Sequence, residues 1–315
     1  MTDNSASLMV EARELLGADA RPLAGGYSGE TFLVGAAGEQ AVLRLYLRDP
    51  ERAAVDAALL SLVRDLVPVP HVLELRTMAT PDEPAFMVME RLPGVRLDHW
   101  LPDASPELRR QAGDSVGRLL ARLAGMPFLR AGRFVGPDLA VEQWTGAAGG
   151  LEEWVEAHRN AGSFARWTAE EFAGLLDVAR QGQDLLDTVE RVCLCHSDFN
   201  PKNLLVDPLT GQVTGLVDWE FAHAGSPYTD VGNLLRFEED EMFATSVVGS
   251  LGDFGPPLDP DFLDIARAVD LLAVVDLVGR PRENPVTRAA DQLALRIARG
   301  RDLAGGRPDW RTALR

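Results

Sequence analysis

Residues 195–207 of this chain read CHSDFNPKNLLVD, a short polar segment that stands between two apolar runs. The segment brings together His196, Asp198, Lys202 and Asn203, all of which carry polar or charged side chains. Loops of this composition usually present functional groups from a rigid frame of strands or helices. This turn is therefore the first candidate for a functional site.

The overall composition is that of a globular protein. The chain has 315 residues, of which 46% are hydrophobic, so it can bury a sizeable core in one large domain or in two lobes. It has no uninterrupted apolar run of about 18 residues, and its first residues lack the basic start and apolar stretch of a secretory signal. A soluble, cytoplasmic protein is the resulting expectation.

The charge balance is strongly acidic, with 31 Lys and Arg against 48 Asp and Glu and a formal net charge of −17. Such a field repels nucleic acids and anionic membranes and favours cationic ligands, although high charge also serves solubility. We therefore expect no nucleic-acid partner and no membrane partner.

Both cysteines of the chain, Cys193 and Cys195, precede the polar segment in a predicted strand, so their side chains lie on one face. Two cysteines do not make a disulfide framework. A zinc site is disfavoured because no second Cys/His pair stands at ligand spacing elsewhere. A buried strand is the preferred interpretation.

The first 92 residues alternate between strand and helix patterns. Apolar residues at helical spacing predict a short helix over 5–16, and residues 21–47 predict antiparallel strands joined by glycine-containing turns. Asp49 and Pro50 resemble the N-cap and first turn of a helix that runs to about residue 66. Two further extended segments follow.

Beyond a predicted hinge at Pro93 and Gly94 the patterns are mainly helical. A capping box at Thr168 and Glu171 marks one helix start. The predicted helices cover 105–126, 144–160, 168–189, 262–278 and 286–298. The sequence therefore predicts an α+β protein with a sheet-rich N-terminal lobe, residues 1–92, and a larger helical C-terminal lobe, residues 93–315.

The spacing His196-x-Asp198-x4-Asn203, with Asp218 at the end of a later strand, meets the needs of phosphoryl transfer. That reaction requires oxygen ligands for Mg²⁺ and a carboxylate beside the accepting hydroxyl. An Asn amide oxygen and an Asp carboxylate both suit Mg²⁺. Asp198 then remains for the acceptor, and protein kinases have the same Asp-to-Asn interval followed by a metal-binding Asp.

The segments HSDFNPKN, VDWEFA and GSPYTD together resemble the aminoglycoside phosphotransferase/choline kinase family of small-molecule kinases, whose two-lobed fold is similar to that of protein kinases. The resemblance covers residues 21–237. It implies that Asp198 is the catalytic base or orients the acceptor hydroxyl, and that Asn203 and Asp218 bind Mg²⁺. It also implies that Asp230 braces the catalytic loop.

The same resemblance, more loosely, implies nucleotide-binding residues in the first lobe. Arg44 stands where the family commonly has a phosphate-binding Lys, and Asp56 stands where its helix partner is commonly Glu. Arg keeps the charge but is not a neutral replacement for Lys. The family uses ATP or GTP, and the sequence does not distinguish them. The other expected nucleotide contacts are Gly25, Gly26, Ser28 and Gly29 in the glycine-rich turn and Met89, Glu90 and Leu92 at the purine.

An acidic segment made of Glu238, Glu239, Asp240 and Glu241 follows the GSPYTD motif. We hypothesise that it binds a cationic acceptor, and a solvated charged face is the plain alternative. The expected substrate is an aminoglycoside-like or other small hydroxylated natural product or metabolite. Macrolides are less favoured because macrolide-modifying relatives often carry His where Asn203 stands.

A second interpretation is a nucleotide-binding module that has lost phosphate transfer and acts through a partner protein. Its supporting feature is the unusual Arg44 and Asp56 pair. The presence together of Asp198, Asn203 and Asp218 opposes it, because a degenerate kinase has no chemical reason to keep all three. The sequence does not indicate an oligomeric state.

Overall fold

A computed structural model describes residues 19–23, 31–36, 39–80, 84–144 and 150–314 of the chain. The predicted helix over 5–16 and the predicted glycine-rich turn over 25–30 lie outside these residues. Within them, no helix is both long and apolar enough to cross a membrane.

The N-terminal part contains a five-stranded antiparallel sheet with the strand order β1-β2-β3-β5-β4, which confirms the predicted antiparallel strands. Its strands are β1 Asp19–Pro22, β2 Thr31–Ala36, β3 Glu39–Tyr46, β4 Val72–Arg76 and β5 Ala85–Glu90. Side chains alternate between the two faces of a strand. In β3, Leu43 and Leu45 are buried in one core cluster, so Arg44 and Tyr46 point to the opposite face, where the candidate site lies.

Helix α1, Arg52–Val63, packs against this second face of the sheet and buries Val55, Leu59 and Val63 at helical spacing. The predicted capping by the Asp49 side chain is wrong, since Glu51 precedes the helix and makes no side-chain cap. The Asp49 and Pro50 carbonyls instead accept the N–H groups of Arg52 and Ala53 in a tight turn. Such i-to-i+3 bonds satisfy N–H groups at a helix start without a side chain.

Two smaller sheets belong to the rest of the chain, a three-stranded one of order β11-β10-β6 and a four-stranded one of order β8-β7-β12-β9. Their strands are β6 Val95–Arg96, β7 Gly132–Val135, β8 Ala140–Glu142, β9 Cys193–Cys195, β10 Leu204–Val206, β11 Val213–Leu216 and β12 His223–Gly225. Gly94, just before β6, has a φ of +113° and a backbone so close to Val206 that a Cβ would lie 2.8 Å from its carbonyl oxygen. The predicted hinge residue Gly94 therefore lies against β10, the strand that follows the polar loop.

The helices after β6 are α2 Leu97–Trp100, α3 Pro106–Ala124, α4 Gly150–Ala157, α5 Ala169–Leu186, α6 Thr229–Leu235, α7 Glu241–Phe254, α8 Phe262–Gly279 and α9 Pro285–Gly300. The capping box before α5 is present, since Thr168 Oγ1 accepts the Glu171 N–H at 3.2 Å and the Glu171 carboxylate accepts the Thr168 N–H at 2.9 Å. The helix predicted from residue 144 is described from Gly150. The mainly helical C-terminal part is thus confirmed.

Helix α6 lies directly against α8 in the helical part. A Cβ on Gly232 in α6 would lie 2.2 Å from the carbonyl oxygen of Ala266 in α8, so only glycine permits this approach. Because α6 carries Asp230 near its start, this contact also fixes the position of Asp230 against the helical core.

Candidate active site

The polar turn predicted from the sequence is a loop from His196 to Asn203 that joins β9 to β10. It includes a 3-10 turn over Pro201–Asn203, and the Asn200 side chain accepts the Lys202 N–H at 3.2 Å. The apolar strands on both sides are buried, so the loop stands on a rigid frame. Both cysteines of β9 are buried free thiols.

Asp230 holds the start of this loop. Its Oδ2 accepts the backbone N–H of His196 at 2.9 Å, and its Oδ1 accepts that of Ser197 at 2.7 Å. Ser197 has a φ of +67°, a left-handed conformation that non-glycine residues seldom adopt without support. Burial raises the pKa of Asp230 to about 6, although the two backbone hydrogen bonds favour the carboxylate.

His196 links the loop to the strand that precedes Asp218. Its Nδ1 accepts the Asp198 N–H at 3.3 Å, so the ring proton belongs on Nε2, which donates to the Val217 carbonyl at 3.0 Å. Burial lowers the pKa of His196 to about 4. The ring is therefore neutral at pH 7, and it serves as a structural connection between two parts of the site.

The Asp198 carboxylate is held by three donors from its own loop. Asn200 Nδ2 donates to Oδ1 at 2.7 Å, and Asn203 Nδ2 donates to Oδ2 at 2.7 Å. The Lys202 ammonium lies 3.1 Å from Oδ2. The orientation of this carboxylate is therefore fixed by side chains that lie two to five residues after it in the same loop.

The oxygen atoms of Asn203 and Asp218 meet the requirements of a hard divalent cation. The amide nitrogen of Asn203 is used by Asp198, while its amide oxygen accepts no hydrogen bond from the described residues. Asp218 Oδ2 likewise has no donor among them, and Oδ1 accepts from Arg44 at 3.1 Å. The N–H of Val217, the residue before Asp218, donates to the Asn203 carbonyl at 3.0 Å. This hydrogen bond keeps the backbone at Asp218 close to Asn203. This donor set fits Mg²⁺.

Arg44 reaches the site from the N-terminal sheet. Its guanidinium bonds Asp218 and also Glu220, two residues further along the chain. Burial opposes its charge, but the surrounding Tyr46, Asp56, Asp218 and Glu220 outweigh burial and raise the pKa of Arg44. Glu220 was not anticipated from the sequence, although a second carboxylate in the DWE segment was a visible signal.

The predicted Arg44–Asp56 pair is wrong in this structure, since Asp56 has other partners. Tyr46 Oη donates to Asp56 Oδ2 at 2.9 Å, and Arg52 Nε donates to Oδ1 at 2.6 Å. Arg52 lies one helical turn before Asp56, so it reaches the carboxylate more easily than Arg44 does. Burial, followed by the charge of Asp56, raises the pKa of Tyr46.

The predicted purine segment lies where the N-terminal sheet meets the rest of the chain. Met89 pairs with Val42 in the sheet, and the Glu90 N–H donates to the His71 carbonyl at 2.9 Å. Leu92 packs against Gly215 of β11. Purine binding by Met89, Glu90 and Leu92 stays a prediction, and the four residues of the glycine-rich turn lie outside the described residues.

The acidic segment does not present four equivalent carboxylates. Glu238 accepts the N–H groups of Glu239 and Asp240 at 3.0 and 2.7 Å, and burial raises the pKa of Glu238. Asp240 caps α7 by accepting the Phe243 N–H at 2.8 Å and pairs with Arg109 at 2.6 Å. Glu239 and Glu241 are exposed, so these two are best placed to meet a ligand from solvent.

Comparisons with known proteins show which proteins the chain is similar to. A profile of the phosphotransferase enzyme family matches residues 19–260, which include every site contact described above. The aminoglycoside 3'-phosphotransferase of Streptomyces fradiae is 29% identical over 207 residues, which cover 62% of this chain and 71% of that protein.

Two solved structures share the fold. One is a variant of aminoglycoside phosphotransferase APH(4)-Ia in a complex with ADP and hygromycin B, with a TM-score of 0.61 and 16% identity over 96% of this chain and 100% of that one. The other is a GDP complex of an aminoglycoside 2'-phosphotransferase-IIIa variant, with a TM-score of 0.67 and 16% identity over 96% of this chain and 93% of that one. They confirm the two-lobed fold that the resemblance implied.

Proposed function

Since the chain belongs to the phosphotransferase enzyme family and is a nucleotide-using kinase that acts on a hydroxyl group, we propose that it transfers the γ-phosphate of ATP or GTP to a small cationic acceptor such as an aminoglycoside. The observation that carries this proposal is the Asp198 carboxylate, which three loop donors hold, one of them the amide of Asn203. The rival interpretation as a non-catalytic module keeps its one supporting feature, the non-standard Arg44 and Asp56, which do not pair with each other. The presence together of Asp198, Asn203 and Asp218 opposes it.

Asp198 orients the acceptor hydroxyl in this mechanism. As the hydroxyl oxygen bonds to the γ-phosphorus, the bond to the bridging oxygen breaks and the nucleoside diphosphate leaves. The hydroxyl proton passes to the Asp198 carboxylate or through it to solvent. Phosphoryl transfer needs little covalent help from the protein, so alignment and charge neutralisation supply most of the acceleration.

Asn203 and Asp218 would hold Mg²⁺ through their oxygens. When bound, this ion neutralises charge on the phosphate oxygens. The residues themselves contribute orientation, because the hydrogen bond from Val217 to Asn203 and the His196 contact keep both ligands on one frame. Arg44 brings a permanent positive charge to the same place.

The acceptor class is supported by charge. Glu239 and Glu241 are exposed carboxylates beside the end of α6, and the chain carries a formal net charge of −17. A polyamine-like acceptor gains electrostatic attraction from both features, whereas a neutral acceptor gains nothing.

The replacement of Glu239 and Glu241 together by Gln is expected to raise the KM for a polycationic aminoglycoside by about tenfold, since two surface ion pairs each contribute roughly 0.2–1 kcal/mol. The KM for the nucleotide should stay the same. Steady-state kinetics at low and high salt will measure both constants. A Glu170→Gln variant, which removes an exposed carboxylate at the start of α5, is the matched control. An unchanged acceptor KM would remove the acidic segment from the site.

The proposed function itself is tested by an acceptor panel. Purified protein, Mg²⁺ and labelled ATP or GTP are incubated with amino sugars, amino alcohols, neutral sugars and macrolides, and transferred phosphate is counted. We expect transfer to a cationic amino-sugar acceptor and none to macrolides. Nucleotide binding without transfer to any hydroxylated acceptor would contradict the proposal and restore the non-catalytic interpretation.

A further inference from the structure

We propose that Arg52 is a positioning residue for the metal-binding segment, and that it takes over the coupling between helix α1 and the active site which the expected Arg44–Asp56 pair does not provide. The proposal deepens the function above and rests on it, since it assigns Asp218 to the nucleotide-bound metal. It predicts that the first turn of α1 controls how well the protein binds a metal–nucleotide complex.

The contacts form a continuous chain from the sheet to the site. Tyr46 Oη donates to Asp56 Oδ2 at 2.9 Å, and Arg52 Nε donates to Asp56 Oδ1 at 2.6 Å. Arg52 Nη2 then donates to the carbonyl oxygen of Trp219 at 2.9 Å. Strand β3, helix α1 and the segment after β11 are therefore joined by three successive hydrogen bonds.

The three side chains of this hydrogen-bonded series are largely buried, and the polar atoms at its centre are paired. The exposed fractions of Tyr46 and Asp56 are 4% and 3%, and that of the Arg52 side chain is 17%. A buried carboxylate is costly unless each oxygen finds a donor, and both Asp56 oxygens do. Asp56 thus holds Arg52 in the orientation that reaches Trp219. This role explains why Asp56 is buried although it contacts no ligand.

A shift of the Trp219 backbone would also move the side chain of the preceding residue, Asp218, which is a proposed metal ligand. Trp219 lies between Asp218 and Glu220, the two carboxylates that bind Arg44. Asp218 has φ 69° and ψ 64°, a left-handed conformation that is unfavourable without support. The Trp219 ring is fixed separately, because its Nε1 donates to the Leu216 carbonyl at 3.1 Å. Arg52 is thus the side chain that fixes the backbone of this turn from α1.

A purely structural helix pair would not need this arrangement. An Arg–Asp pair one turn apart on a helix is satisfied within the helix, whereas Arg52 uses one edge of its guanidinium for Asp56 and another nitrogen for Trp219. The rigid fork of Arg allows these two directions at once, and the single ammonium of Lys does not reproduce it. Arg52→Lys is therefore an informative variant that keeps the charge.

The test measures metal affinity separately from turnover. Mn²⁺ binding in the presence of a non-hydrolysable ATP analogue will be followed by electron paramagnetic resonance for the wild type, Arg52→Met and Arg52→Lys. We expect the dissociation constant for Mn²⁺ to rise about tenfold in both variants, as for residues that orient metal ligands. The KM for the nucleotide should rise in parallel, and the KM for the acceptor should stay constant.

Arg64→Met is the matched control, because Arg64 follows the other end of α1 and is exposed, and among the described residues its side chain hydrogen-bonds only the Ser61 hydroxyl, at 3.4 Å. It should leave both constants unchanged. If Arg52→Met does not fold, Arg52→Lys decides the question. Wild-type metal and nucleotide affinity in Arg52→Lys, or an equal rise in the acceptor KM, would overturn the proposal.

Failure of the proposed function has a different signature. If the wild type binds Mn²⁺ and nucleotide and both Arg52 variants bind them more weakly, the positioning role is supported even when no acceptor in the panel is phosphorylated. If the wild type phosphorylates an acceptor and the Arg52 variants keep its metal and nucleotide affinity, only the positioning role is contradicted. Absence of wild-type metal–nucleotide binding would overturn both.

Discussion

Replacement of Asp198 by Ala is expected to reduce kcat by about 10³-fold, within the range by which positioned acid–base groups accelerate reactions. The carboxylate is the one group in the loop that is both charged and held by three donors, so its removal leaves the acceptor hydroxyl without an oriented partner. Nucleotide affinity should change little, because Asn203, Asp218 and Arg44 remain. Single-turnover kinetics and nucleotide titration will separate the two effects.

Asp207→Asn is the matched control for this variant. Asp207 lies just after β10, and its carboxylate accepts the Leu209 N–H at 2.8 Å, away from the site. It should keep wild-type turnover. If Asp198→Ala turned over the true acceptor at a near-normal rate, the carboxylate would have no role in transfer, and another group would have to orient the hydroxyl.

Replacement of Arg44 by Met should raise the affinity for a divalent cation in the absence of nucleotide and lower the catalytic efficiency. Arg44 binds Asp218 Oδ1 and the Glu220 carboxylate, so a divalent cation competes with it for the same carboxylates. The variant should therefore bind Mn²⁺ more tightly than the wild type in the absence of nucleotide. With nucleotide, it lacks the cation for the phosphates, and kcat/KM should fall by about 10²-fold.

This opposition distinguishes the role of Arg44 from a structural one. General damage to the site would weaken Mn²⁺ binding in both states, whereas loss of a competing cation strengthens it in one. Arg21→Met, which removes an exposed arginine from β1 of the same sheet, should alter neither quantity. Weaker Mn²⁺ binding by nucleotide-free Arg44→Met would mean that Arg44 supports the metal site instead of competing for it.

The sequence was sufficient for the core of the candidate site because that core is local. Asp198, Asn200, Lys202 and Asn203 contact one another within a single turn, and their spacing along the backbone nearly determines these contacts. The Thr168 and Glu171 capping box is predictable for the same reason. The strand and helix patterns that surround the loop also follow from short-range periodicity.

Other expectations were wrong or incomplete because several groups of one charge compete for a partner. Asp56 could pair with Arg44 or with Arg52, and Arg44 could pair with Asp56, Asp218 or Glu220. The one-turn spacing on α1 favours Arg52 as the partner of Asp56. No spacing rule selects a partner for Arg44, which is 174 positions from Asp218. The acidic segment is similar, since Asp240 is both a helix cap and the partner of Arg109.

The sequence by itself thus determined an α+β kinase-like chain and the contacts within its polar loop, since hydrogen bonds between near neighbours depend on spacing and residue type. Only the tertiary structure decided that Arg44 meets Asp218 and Glu220, and that Asp56 acts through Arg52 on the Trp219 carbonyl. The physical reason is that charged side chains pair with the partner that the packing of sheet, helix and loop brings within about 3 Å, and that distance is a property of the folded chain.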